Sequence, residues 1–116
     1  YISIDTVDFV EIHNYGAAKW INGIINNTYN YVKKPIWLTE FNCSGCSAED
    51  QLEYMKEILP ILEKNPYIER YSWFTTELSS GDKIHPFSLI KKKDGTTDEF
   101  ELTELGEYYN NYVYQE

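Results

Sequence analysis

What this sequence has little of narrows its function before any motif is considered. Basic residues are scarce, with 10 Lys and Arg against 19 Asp and Glu, a formal charge of −9 with both histidines neutral. Nucleic-acid affinity comes largely from Lys and Arg neutralising phosphates, so no nucleic-acid partner is expected. No apolar run approaches the roughly 20 residues that span a bilayer, so no membrane insertion is expected either. The opening Tyr1-Ile2-Ser3-Ile4-Asp5 lacks the basic start and long apolar stretch of a signal peptide, and no initiator Met precedes its strand-like run. The expectation is a segment of something longer. Histidine and cysteine are limited to His13, His85, Cys43 and Cys46. A four-ligand zinc site would need all of them to converge from distant positions, so the reading assigns no metal and no cofactor.

What is present is capacity to pack. Hydrophobic residues make up 42% of the 116 and aromatics 16%, from 11 Tyr, 5 Phe and 3 Trp, which is too much for a disordered acidic tail and enough for one small domain. The pair in Cys43-Ser44-Gly45-Cys46 fits a redox pair, half a zinc site or a local disulfide. The plainest reading is a loop pin, either a disulfide or two packed thiols, which makes Cys43 and Cys46 a disulfide candidate. Two sequons, Asn26-Asn27-Thr28 and Asn42-Cys43-Ser44, lean toward a secreted context.

Residues 7–13, Val-Asp-Phe-Val-Glu-Ile-His, are rich in β-branched and aromatic side chains and read as a strand. Residues 17–32 then place Trp20, Ile21, Ile24, Ile25 and Tyr31 near helical spacing. Lys34-Pro35 stops that helix, and Pro35-Ile36-Trp37-Leu38-Thr39-Glu40-Phe41 is an almost continuous apolar run, as in a parallel strand covered on both faces. Ser47 stands three residues before Asp50 as a helix cap, and Leu52, Met55, Ile58, Leu59 and Leu62 recur at helical period through Lys64. Pro60 should bend this helix, and Asn65-Pro66 ends it. Residues 68–74 form a third strand. A turn at Ser79-Ser80-Gly81-Asp82 follows, then two short runs, 87–90 and 98–102, flank Asp94-Gly95 as a hairpin with a loop longer than two residues. Thr103 caps a last helix bearing Leu105, Tyr108, Tyr109 and Tyr112.

Strands and helices alternating about every 30 residues imply parallel strands joined by right-handed crossovers. Three strands alone would leave long open edges, whereas a closed (β/α)8 barrel takes about 250 residues, roughly twice this chain. The reading is therefore α/β, the C-terminal portion of a TIM barrel.

In such a sheet, chemistry gathers at the carboxyl ends of the strands. There stand His13, Asn14 and Tyr15, then Glu40, then Trp73 and Phe74. Each has an ordinary reading: Glu40 emerging into solvent, His13 a hydrogen-bonded core histidine, Trp73 mere packing. Together at three successive strand ends they match a pyranose site, in which an aromatic face stacks on C–H groups while His and Tyr bind hydroxyls and orient a carboxylate.

The succession of Val7-Asp8-Phe9-Val10-Glu11-Ile12-His13-Asn14-Tyr15-Gly16, Lys34-Pro35-Ile36-Trp37-Leu38-Thr39-Glu40-Phe41, Asp50 with Tyr54-Met55, Glu69-Arg70-Tyr71-Ser72-Trp73-Phe74 and Leu102-Thr103-Glu104-Leu105-Gly106 with Tyr109 resembles the glycosyl hydrolase catalytic core domain. Within it, the similarity is to the alkali-sensitive-linkage cell-wall proteins and to glycoside hydrolase family 128, which act on β-1,3-glucan. The resemblance spans nearly the whole chain. It implies a clan A retaining glycosidase, with residues 1–116 as the partial catalytic domain: strands six to eight, their helices and a hairpin insertion after strand eight. By the same resemblance Glu40 takes the nucleophile position, His13 and Tyr15 lie at the end of strand six as substrate-binding residues, and Trp73 floors a sugar subsite at the end of strand eight. It also implies a polysaccharide partner, β-glucan, a secreted or cell-wall location, and no metal.

Retaining hydrolysis needs a second carboxyl about 5 Å from the first. The Asn-Glu pair that supplies it in such enzymes has no counterpart here, so the N-terminal half of the barrel is the missing partner. Glu11 in mid-strand, Glu77 in a loop and Glu104 at a helix start read as structural or solvated. The chain alone is expected to be inactive. The alternatives are a noncatalytic carbohydrate-binding or wall-structural protein, or a truncated inactive copy.

Overall fold

Prolines and capping side chains cut the first part of the chain into strand and helix pieces. The structure is a computed structural model that describes residues 3–77, 84–96 and 98–116. A 3-10 turn at Ile4–Thr6 opens it, with the Asp5 N–H donating to the Ser3 hydroxyl. Strand β1 then runs Val10–Asn14. It starts three residues later than the apolar pattern implies; in the turn before it, the N–H groups of Thr6 and Val7 donate to the Ser3 and Ile4 carbonyls. A further 3-10 turn at Ala18–Trp20 leads into helix α1, Ile21–Val32. Lys33, left-handed at φ 53°, ends the helix and donates its N–H to the Tyr29 carbonyl. Only Ile21 and Ile25 of α1 are buried; Trp20, Ile24 and Tyr31, expected on the same apolar face, are exposed.

Strand β2 is Ile36–Phe41. The Ser47 hydroxyl accepts the Asp50 N–H and caps helix α2, Ala48–Lys64, which contains Pro60 and buries Met55, Ile58, Leu59 and Leu62. Strand β3, Ile68–Tyr71, ends three residues short of the expected strand, yet Ser72 and Phe74 still donate N–H groups to the Leu38 and Phe41 carbonyls, so the chain stays beside β2. Strands β4, Ile90–Lys92, and β5, Phe100–Leu102, form the antiparallel hairpin, with Gly95 in its loop at φ 77°. The turn expected at Ser79-Ser80-Gly81-Asp82 lies outside the described residues. The Thr103 hydroxyl accepts the Gly106 N–H at 3.0 Å and caps helix α3, Glu104–Asn111. Among the described residues no helix is long and apolar enough to cross a membrane.

The protein is mixed α/β. Strands β1, β2 and β3 are parallel and lie in that spatial order, with α1 packed on α2 and α2 on α3. Ile36, Leu38 and Phe41 of β2 are fully buried with the apolar residues of α1 and α2. The opposite face of the sheet is not the second buried face expected for β2. It presents Glu11, His13, Trp37 and Arg70, all exposed or half-buried. Gly106 allows α3 to lie against the backbone of Leu89, where a Cβ would stand 1.9 Å from the Leu89 carbonyl oxygen.

Candidate active site

Glu40 owes its position to an irregularity. Along β1 and β2, Val10 pairs with Ile36, Glu11 with Trp37 and Ile12 with Leu38, but His13 pairs with Glu40, skipping Thr39. Side chains alternate across a strand, so unbroken pairing would set Glu40 on the face of Ile36 and Leu38, inside the apolar core. The extra residue turns Glu40 instead toward the face of His13, the re-aiming for which bulges near functional sites are known. The burial of β2 switches phase at the same place, with Thr39 and Glu40 both half-buried before Phe41 returns to the core.

Two side chains from the end of β1 meet the Glu40 carboxylate. The Tyr15 hydroxyl donates a hydrogen bond to Oε2, and His13 Nδ1 lies 3.4 Å from the same oxygen. His13 Nε2 in turn faces Oε1 of Glu11 at 3.0 Å, so both ring nitrogens face carboxylates. Glu11, read from sequence as structural or solvated, is thus tied to the site through His13. Desolvation first, then the hydrogen bond to Glu40 and its negative charge, push the Tyr15 hydroxyl up to about 12. It therefore stays a donor through the neutral range.

The third strand end departs from the sequence reading. Trp73 is 4% exposed and does not reach the carboxylate. Its indole N–H donates to the Phe87 carbonyl at 2.8 Å, and its ring packs edge-on against Phe41 and near Tyr54. Successive residues point to opposite sides of an extended chain, so the adjacent Phe74 takes the open side and stands edge-on to Tyr15, ring centres 6.1 Å apart. Phe74, not Trp73, is the ring that stands beside Tyr15. The signal available in the sequence was the adjacency of the two aromatics, without a way to tell which faces the core.

A frame of amides fixes these ends. Asn42, 3% exposed, donates Nδ2 to the Phe74 carbonyl at 2.8 Å and so joins the end of β2 to the chain after β3. Buried Asn14 donates to the Tyr54 hydroxyl and to the Gly16 carbonyl. Buried Gln51 accepts the Cys43 N–H and donates to the Cys43 carbonyl. Cys43 and Cys46 form a disulfide with Cα atoms 5.6 Å apart, closing the loop that follows Glu40. The burial and engagement of Asn42 also leave no room for a glycan at the second sequon, whereas Asn26 in the first is exposed. Lower on the same face, Trp37 stacks on Phe9 at 3.7 Å, donates to Glu69 and lies under the Arg70 guanidinium. The substitutes weighed for a second carboxyl are elsewhere: Glu77 is exposed beyond the third strand end, and Glu104 begins α3.

The glycosyl hydrolase catalytic core family matches residues 3–109. Alkali-sensitive linkage protein 1 of Schizosaccharomyces pombe is 35% identical over 112 residues, covering 89% of this chain and 20% of that protein. A GH128 subgroup II endo-β-1,3-glucanase from Pseudomonas viridiflava superposes with a TM-score of 0.73 at 29% identity, over 94% of this chain and 41% of the glucanase. A GH128 subgroup I endo-β-1,3-glucanase variant from Amycolatopsis mediterranei, in complex with laminaritriose and laminaribiose, gives a TM-score of 0.69 at 28% identity over 90% of this chain and 45% of its own. The chain thus spans a fifth of the curated relative and less than half of these solved structures.

Proposed function

Because this chain belongs to the glycosyl hydrolase catalytic core family, we propose that it forms the C-terminal portion of a (β/α)8 barrel that cleaves β-1,3-glucan with retention, Glu40 acting as nucleophile. The observation that carries this reading is the Glu40 carboxylate held by Tyr15 and His13 at the carboxyl ends of two adjacent parallel strands. Strand order β1-β2-β3 without reversal, and helices gathered on one face, suit a barrel wall better than an open sheet wound on both faces. The polar opposite face then lines the barrel interior.

Both contacts to Glu40 fall on Oε2, which leaves Oε1 to attack the anomeric carbon and form the glycosyl-enzyme. The Tyr15 and His13 contacts hold Oε2 in place and aim the carboxylate, while Tyr15 and Phe74 border the sugar. A second carboxyl, supplied by the part of the barrel outside residues 1–116, protonates the leaving oxygen and later activates water. Glu11 does not replace it, since its contact with the site runs through His13 and it lies two residues earlier on the strand. The substrate is a wall β-glucan met by a secreted or wall-resident protein, and no step calls for a metal.

The test is azide rescue in the full-length parent protein. Glu40→Ala should lower laminarin cleavage by about 10³-fold or more, and azide should restore turnover with a glycosyl azide of inverted configuration. A retained glycosyl azide would identify Glu40 as the acid/base instead, and undiminished cleavage would remove it from the chemistry. The 116-residue chain alone should release no reducing sugar from laminarin.

A further inference from the structure

We propose that the helix side of this chain carries a second saccharide-binding groove, remote from Glu40, that holds a neutral glucan chain without cleaving it. The ligand class rests on the β-glucan reading above; the site does not. A groove of about 710 Å³ lies between α1 and the end of α2, lined by Asn22, Asn26, Lys64, Asn65, Tyr67 and Tyr114 among others. Among the described residues lining it, Lys64 is the one of charged type, in a protein of net charge −9. Its lining otherwise combines carboxamides, tyrosines and prolines, the pairing of directional polar groups with flat apolar surface that pyranoses require.

The orientation of the amides follows from the backbone. The Tyr67 N–H donates to Asn65 at 2.9 Å, and a backbone N–H can only donate, so the atom it meets is the Asn65 carbonyl oxygen. The Asn65 amino group therefore points the other way, donating to Oδ1 of Asn22 at 2.9 Å and of Asn26 at 3.2 Å. Asn65 is 7% exposed, so this arrangement is fixed from below. With their oxygens committed, the exposed Asn22 and Asn26 turn their amino groups outward, a pair of N–H₂ donors four residues apart on one helix face. None of the described lining residues is Asp or Glu, and amide donors in such a lining favour ligands rich in neutral acceptors, such as sugar hydroxyl and ring oxygens. Tyr67 is already immobilised, stacked on Tyr29 at 3.8 Å and 6°, so presenting it costs little side-chain entropy.

The discriminating change is Asn22→Asp with Asn26→Asp, which keeps the acceptors that Asn65 needs and removes the outward donors. Because Asn26 heads a sequon, the full-length parent is produced in bacteria, so that its amide is unmodified in the test. Laminarihexaose is titrated calorimetrically into protein carrying Glu40→Gln, so that no turnover occurs. Two sites should be seen, and the double change should delete one or weaken it about tenfold or more. Unchanged binding after the double change overturns the groove. If instead the Glu40 site does not bind β-glucan, the count falls from one site to none, which keeps the two failures apart. A thermal melt within about 0.5 kcal/mol of the parent shows that the fold is intact.

Discussion

The two faces of the β1-β2-β3 sheet use the same strands for opposite purposes. Toward the helices, Ile36, Leu38 and Phe41 are fully buried with Ile21, Ile25, Met55, Ile58 and Leu59, and their contribution is area removed from water. Toward the open side, His13 stands between Glu11 and Glu40, Tyr15 donates to Glu40, and Trp37 lies under Arg70, with much of their surface exposed. Neighbouring residues of one strand thus differ in what their loss should cost: stability on the helix side, chemistry on the open side. Separating those two costs by mutation is the sharpest way to test the assignment of faces.

The largest loss of stability is expected from Leu59→Ala, which empties a fully buried site. Chemical denaturation of the parent protein should show about 2–5 kcal/mol of destabilisation, with kcat per folded molecule unchanged. Gly106→Ala should come next, at about 1–3 kcal/mol, because the added methyl meets the Leu89 backbone rather than a movable side chain. A near-neutral result would mean that α3 can back away from Leu89. Smallest in stability is Tyr15→Phe, within about 1 kcal/mol, yet it removes the donor to Glu40 and should lower kcat about tenfold with little change in KM. If the open face were only structural, Tyr15→Phe would leave kcat alone.

The same tyrosine shapes the alkaline limb. Tyr15 and the buried Tyr54 are both pushed up to about 12, each chiefly by desolvation, against about 10 for an unfolded tyrosine. A raised pKa means that the folded state holds the proton more tightly. The associated stability is full below pH of about 10 and is lost as pH rises toward 12. Denaturation midpoints across that window should fall, and Tyr54→Phe should flatten the fall.

Much of this was legible in the chain because its signals are local. Ser47 and Thr103 announce α2 and α3 through hydroxyls that accept the N–H three residues on, and Pro35 and Pro66 mark where helices give way to strands. His13, Tyr15 and Glu40 could be nominated from strand ends alone, and they do meet. Trp73 could not be placed, since the choice between it and Phe74 depends on which side the core lies, and only the packing of Phe41 and Tyr54 supplies that. Glu11 was passed over because its tie to the site exists only through the pose of His13.

The amino-acid sequence by itself determined the alternation of strand and helix, the caps that bound the helices and the residue types gathered at the strand ends. The tertiary structure decided which way those residues face. Alternation within β2 would carry Glu40 to the side of Leu38. Its turn toward His13 arises from the residue skipped between the two strands, a property of their pairing that neither strand possesses alone.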